Sequence, residues 1–349
     1  MRTSRLHENE ALRLLDKRLL VIMGKGGVGK STISALLALR AAREGKKVLC
    51  CEVNTKERVA PLLGARPSGP DIQEAVPGVF TVNVRPKEAM REYALMKLRF
   101  QAVYNVVFEN RLVRHFVRLV PSLAETVILG KVWYEVESKI GDRHKWDLVI
   151  LDAPATGHGV SLLRIPRVLM ETVPPGPMRE EAEKMEATLT DPSKTRIDLV
   201  TLPEEMPVSE TVDLEKTVRT ELEMPLGYLF LNTFVERRFD ESEVGDLLGV
   251  ADRTFSTCGN TKQGSASGTL HPAVAAAQAA LHHASRAELS AYYESKLEAQ
   301  LPNIRRLKLP RIHSSKWGRG QILLLDEALT SLLAEETRPR AETKWAAVP

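Results

Sequence analysis

Cysteine is scarce in this 349-residue sequence: Cys50, Cys51 and Cys258 are the only three, which excludes a disulfide framework. The first two are adjacent and would point to opposite faces of a strand. No uninterrupted apolar run of about eighteen residues occurs, so no membrane-spanning helix is expected. The opening residues Met1–Glu10 lack an apolar leader segment, which makes a cytoplasmic location the expectation. Charge of one sign is also lacking. The formal net charge is +4, and basic residues are interleaved with acids instead of forming a stripe, so no nucleic-acid partner is expected. No internal repeat is present, which points to one unit and not a tandem pair.

What the chain does contain is the run Gly24-Lys25-Gly26-Gly27-Val28-Gly29-Lys30-Ser31-Thr32. It fits the G-x-x-x-x-G-K-[ST] phosphate loop, with an additional lysine, Lys25, after the first glycine. Glycines let backbone N–H groups turn inward around the phosphates of ATP without a Cβ in the way. Lys30 is placed to neutralise phosphate charge, and the Ser31 hydroxyl to ligate Mg²⁺. An apolar strand, Arg18–Met23, leads into the loop, and a helix starting near Ile33 leaves it. That helix directs its positive N-terminal end at the anion.

Short apolar segments alternate with helical stretches, which predicts an α/β protein of βαβ units: a P-loop NTPase with a doubly wound, mainly parallel sheet. The expected strands are Leu19–Met23, Lys47–Val53, Asp147–Leu151, Ile197–Leu202 and Gly227–Phe234. Trp146–Asp152 is an apolar strand ending in an acid, the form of a Walker B element, so Asp152 is expected to hold Mg²⁺ through its water shell. Ala153–Gly159 reads as a loop with a proline and two glycines, suited to a switch that senses the γ-phosphate. An N-cap role for Asp152 and an ordinary backbone-bonded histidine at His158 are the alternatives.

The expected division is an ATPase core of residues 1–85, 140–161 and 196–335, an inserted helical subdomain of 86–139 and 162–195, and a disordered tail of 336–349. Residues 256–270 read as a polar loop and Pro272–Gln300 as an alanine-rich helix. The helical tracts hold Tyr93, Phe100, Tyr104, Phe108, Phe116, Trp133 and Tyr134, together with Met90, Met96, Met170, Met178 and Met185. Taken singly, each is best read as helix packing. As a set they would suit a groove for an apolar helix.

The lysine-bearing loop is similar to the deviant Walker A motif of dimeric ATPases. Asp152–Gly159 with Leu162-Leu163-Arg164-Ile165-Pro166 resembles the switch II segment of the arsenical pump-driving ATPases and their relatives, the guided-entry factors for tail-anchored membrane proteins. Leu202–Thr211 and Phe230-Leu231-Asn232 fit the same pattern, so the resemblance spans roughly residues 18–335. It implies a homodimer, or a heterodimer with a paralogue, in which Lys25 reaches the partner's nucleotide. Gly24, Gly26, Gly27, Val28, Gly29 and Lys30 would cradle phosphate, with Ser31 on Mg²⁺ and Thr32 on the α-phosphate. Asn232 would read the adenine, and the segment around Pro310 would close over the base. The helical tracts would form a client-binding groove, and a peripheral membrane partner is compatible with that role.

Three departures qualify the resemblance. The switch I aspartate that positions the attacking water falls on Asn54, leaving Asn54, Glu52 and Glu57 as candidates for that task. No Cys-x-x-Cys pair is present to hold zinc. The cysteines do not suggest a three-thiol arsenite site. The expected function is therefore a Mg²⁺-dependent ATPase that couples ATP to a hydrophobic client. A weakly active, nucleotide-gated subunit and the motor of an anion or arsenite pump are the alternatives.

Overall fold

The computed structural model describes residues 12–98, 121–240 and 272–337, with scattered positions between 242 and 253. Its centre is an eight-stranded sheet ordered β10-β9-β8-β1-β7-β2-β4-β3. The strands are β1 (Leu19–Met23), β2 (Val48–Val53), β3 (Gln73–Val76), β4 (Val79–Val84), β7 (Leu148–Asp152), β8 (Thr195–Thr201), β9 (Leu226–Phe234) and β10 (Arg305–Pro310). β5 (Lys139–Ile140) and β6 (Arg143–His144) form a separate exposed hairpin. Every pairing in the large sheet is parallel except that of β3 with β4. The five expected strands are present within one or two residues at their ends, and the parallel α/β class is observed.

β1 is buried at all five positions because it lies between β7 and β8 with helices on both faces. Its residues alternate between two cores. Leu20 and Ile22 join α1 (Lys30–Arg43) and α9 (Arg319–Thr337) on one face. Leu19, Val21 and Met23 join the other face, covered by α4 (Pro121–Glu137), α5 (Thr156–Thr172), α6 (Pro177–Thr190) and α7 (Glu205–Thr217). Short α2 (Val59–Leu62) follows β2, α3 (Pro86–Leu98) packs on α4, and α8 (Pro272–Gln300) packs on α7 and β9.

Four features differ from the sequence expectation. β3, β4 and β10 are strands that the sequence did not announce. The segment expected as a loop through Gly159 is already helical from Thr156, and Gly159 shows why this works. A Cβ there would lie 3.1 Å from the Met23 side chain and from the Pro154 carbonyl, so glycine lets α5 settle onto β1. The last helix runs to Thr337, two residues into the segment expected to be disordered. The helical tracts expected as an inserted layer link β4 to β7 and β7 to β8. Their described parts put Val132, Leu162, Leu163, Ala182 and Met185 into the same core as the sheet. Met90 and Met170 pack against that core, while Met178 and Tyr134 are exposed. Phe100, Tyr104, Phe108, Phe116, the loop 256–270 with Cys258, and the end of the tail lie outside the described residues.

Candidate nucleotide and magnesium site

The phosphate loop joins the central strand to the first helix, at the carboxyl edge of the sheet where α/β proteins bind ligands. Gly29 immediately precedes α1 with φ 101° and offers no side-chain cap. The free N–H groups of the helix start are thus left for an anion. A Cβ at Gly29 would stand 2.2 Å from Asn232 Nδ2, and one at Gly24 would stand 2.3 Å from the Val200 carbonyl. Both positions therefore require glycine for space as well as for conformation. Lys30 donates to the carbonyls of Gly24 and Lys25, both at 3.0 Å, so it folds back over the loop it is to serve. Burial holds its ammonium below the usual lysine range, against the attraction of Asp152.

Asp152 ends β7 and is buried, and it meets Ser31 across the mouth of the loop. The Ser31 hydroxyl donates to Oδ2 at 2.6 Å, and Ser34 one turn along α1 donates to Oδ1 at 3.3 Å. Serine hydroxyl and carboxylate in contact beside a phosphate cradle are the two protein groups a Mg²⁺·nucleotide complex requires. A buried carboxylate oxygen of Glu52 without a hydrogen-bond partner lies on the neighbouring strand, and this orphaned acceptor also fits a cation at this end of the sheet. Among the described residues, no cluster of three or more histidine, cysteine or acidic side chains could hold a metal unaided. A metal there would need substrate phosphate beside the serine and the carboxylate.

The other candidate residues have varied surroundings. Lys25 is ion-paired with Glu210 of α7 in its own chain. Asn232 is buried at 7% exposure, and both ends of its amide are engaged. Nδ2 donates to the Val28 carbonyl at 2.9 Å, and Oδ1 accepts from Thr233 N–H at 2.9 Å. It braces the phosphate loop from two strands away, so reading an adenine would require it to exchange partners. Pro310 ends β10 opposite Phe234 and lines a cavity of about 300 Å³ with Arg238, His283, Arg311 and His313. Asn54 is exposed and left-handed, φ 40°. The Glu57 carboxylate is turned away, accepting from Gly69 N–H at 3.0 and 3.1 Å and facing Arg85. Glu52 accepts from Arg58 N–H at 2.6 Å and Val59 N–H at 3.3 Å, closing the turn into α2. Sequence reasoning missed the Lys25–Glu210 pair and the Asn232 brace, which span 185 and 204 residues and leave no local signature.

Burial pushes the Glu52 carboxyl up to about 7, with the Asp152 charge adding to it against the Arg58 and Val59 N–H groups. Burial also raises Asp152, opposed chiefly by its Ser31 hydrogen bond and by Lys30. The folded chain therefore keeps protons at a pH where the unfolded chain has released them, so these groups weaken the fold as pH rises. For Glu52 the window runs from its ordinary 4.5 to about 7. Glu52→Gln removes that titration. In EDTA, its thermal midpoint relative to wild type should climb across this window and level off above it. A difference independent of pH would contradict a raised Glu52 pKa in the folded chain.

A phosphate loop between a central parallel strand and its helix, facing a serine–aspartate pair, defines a P-loop NTPase. Residues 17–174, which carry both halves of this site, match the model of the anion-transporting ATPase family. The chain is 29% identical to ATPase BagA of Mycobacterium tuberculosis over 246 residues, covering 66% of this chain and 69% of that one. It is 27% identical to an arsenical pump-driving ATPase of Escherichia coli over 224 residues, 59% of this chain and 36% of the relative. It is 26% identical over 147 residues to ATPase ASNA1 homolog 2 of Paramecium tetraurelia, 42% of this chain and 43% of the relative.

Proposed function

We propose that the chain is a Mg²⁺-dependent ATPase that dimerises through its nucleotide face and couples ATP binding and hydrolysis to capture and release of a hydrophobic client. The contact of Ser31 with Asp152 at 2.6 Å carries the reading, because it joins the phosphate loop to the acid that ends β7. In it, Gly24–Thr32 bind the phosphates through backbone N–H groups, and Lys30 leaves its two carbonyl partners for phosphate oxygen. Ser31 and Asp152 would hold Mg²⁺, which neutralises charge building on the β- and γ-oxygens. Asn232 and Pro310 stand at the carboxyl ends of β9 and β10, on the side where the base would lie. The trans role of Lys25 requires its bond to Glu210 to open, so dimer closure and release of that ion pair are one event.

The client side would be the expected subdomain of residues 86–139 and 162–195, whose described helices are α3, α4, α5 and α6. Support comes from the placement of α5 directly after Asp152 and from the exposed Tyr134 and Met178 on that layer. A client presenting an apolar helix, such as a membrane-protein segment, fits such a surface. Among the described residues, no helix is long and apolar enough to cross a membrane. An arsenite-pump motor has less support. Cys50 and Cys51 are fully buried, and burial pushes both thiols well above their ordinary range, away from the thiolate form that binds metalloids. An exposed amide at Asn54, where the resemblance puts a carboxylate, favours one second reading: a nucleotide-gated subunit of low turnover.

Steady-state ATP turnover with Mg²⁺, recorded beside oligomeric mass, tests both readings. Lys25→Ala should bind ADP as wild type does but lose more than about tenfold in turnover, as expected when a charge supplied in trans is removed. Equal turnover in Lys25→Ala and wild type would reject the trans role. If wild type binds ATP without hydrolysing it and Asn54→Asp gains turnover, the gated-subunit reading replaces the self-sufficient one.

A further inference from the structure

Glu52 and Asp152 stand side by side. β2 and β7 run parallel with Glu52 in register with Asp152, so their Cα atoms are neighbours across one ladder. Their side chains also share a face. Val48 and Cys50 of β2, and Leu148 and Ile150 of β7, all pack into the core beneath α1. The two-residue period carries Glu52 and Asp152 to that same side at the carboxyl edge. Ser31 and Ser34 of α1 reach Asp152 there. Glu52 is 1% exposed, and only its Oε1 is used, by the N–H groups of Arg58 and Val59. Its Oε2 is buried with no partner.

Two buried acids in adjacent positions repel one another, and buried charge is kept only when paired or bound to a metal. Among the described residues, no ion pair reaches either carboxylate. Lys30, the nearby cation, is bonded instead to the carbonyls of Gly24 and Lys25. We propose that Glu52 supplies a second carboxylate to the Mg²⁺ site through its free Oε2, working beside Asp152 in place of the acid that Asn54 lacks. Mg²⁺ retains several waters and is commonly held by one or two carboxylates together with substrate phosphates, so Glu52 bonds to a metal-bound water. Asn54 lies two residues further on, past the end of β2, exposed and in the left-handed region. The carboxylate in effect stands two residues earlier, inside the strand. The proposal rests on the ATPase reading above.

The test measures Mn²⁺ affinity by electron paramagnetic resonance in the presence of ADP, for wild type, Glu52→Gln and Asp152→Asn, beside ADP binding in EDTA. Glutamine keeps the acceptor for Arg58 and Val59 and nearly the same volume, so a merely structural role predicts unchanged metal affinity. The expected result is ADP binding in EDTA close to wild type and Mn²⁺ affinity weaker by about tenfold or more, the usual consequence of losing an outer-shell partner. Glu52→Asp, which keeps the charge but withdraws it by a methylene, should fall between. Wild-type Mn²⁺ affinity in Glu52→Gln, with Asp152→Asn impaired, overturns the role of Glu52 and leaves the ATPase reading standing. Absence of ADP and Mn²⁺ binding by wild type itself overturns both.

Discussion

Lys30→Ala is expected to reduce ATP turnover by about a thousandfold, which corresponds to about 4 kcal/mol of lost transition-state stabilisation. The side chain has two tasks that alanine cannot perform. On the function proposed above, it brings a positive charge to phosphate oxygens from inside the loop, where burial limits screening by water. It also ties the loop together through the carbonyls of Gly24 and Lys25 while the site awaits nucleotide. Neither carbonyl depends on Lys30 for the fold of the sheet, so the thermal midpoint should move little. Turnover under saturating Mg²⁺·ATP, with a melting curve on the same sample, separates the two effects. A variant that keeps more than about a tenth of wild-type turnover would remove Lys30 from the reaction. Lys30→Arg should not rescue it, because a planar guanidinium is larger than the compact ammonium that the loop encloses.

The five central strands were legible because each is a short apolar run, and the candidate site's two halves, which meet through Ser31 and Asp152, were legible because Gly24–Thr32 and Asp152 have residue types that few other tasks demand. The missed strands have physical reasons. β10 reads Arg305-Arg306-Leu307-Lys308-Leu309-Pro310, with charge on alternate residues because it is the sheet's edge. Arg306 pairs with Glu298 and Lys308 with Glu294, so the cations cover the rim while Leu307 and Leu309 enter the core. β3 is a mostly exposed antiparallel edge, Gln73–Val76, with only Val76 buried. β4 differs again. Val79–Val84 is apolar enough, but Asn83 and Thr81 interrupt the run, and both are buried for local reasons. Asn83 binds the Thr55 carbonyl at 2.7 Å, and Thr81 contacts Ser68. Side-chain partners far apart in sequence were not legible at all. Nothing near Lys25 announces Glu210, and nothing near Glu52 announces that one of its oxygens would lack a partner.

The largest loss of stability from a single change is expected at a residue that touches no part of the nucleotide site. Asp198 on β8 is fully buried and receives Arg196 in a bidentate pair, Nε to Oδ1 and Nη2 to Oδ2, both at 2.8 Å. Asp198 Oδ1 also accepts from Tyr228 N–H at 2.8 Å, while Arg196 Nη2 donates to the Leu14 carbonyl at 2.7 Å. The guanidinium lies over the Tyr228 ring, 4.7 Å from its centroid. Gly227 admits this arrangement, since a Cβ there would fall 2.2 Å from Arg196 Cδ. Asp198→Ala removes the carboxylate that meets this buried guanidinium in two bonds, at a cost of about 3–5 kcal/mol. Replacing both members by apolar residues should recover much of that, because the pair's Coulomb attraction largely offsets its own desolvation. The Tyr228 N–H would still lose an acceptor, leaving a residual cost of about 1–3 kcal/mol. Urea midpoints for the two single variants and the double variant check this, and additive losses would contradict it. The consequence reaches the nucleotide site through the backbone. β8 pairs with all five residues of β1, and the Val200 carbonyl stands 2.3 Å from where a Cβ of Gly24 would be. A β8 freed from its register would no longer support the first turn of the phosphate loop, so Asp198→Ala should weaken ADP binding at temperatures below its own melting transition.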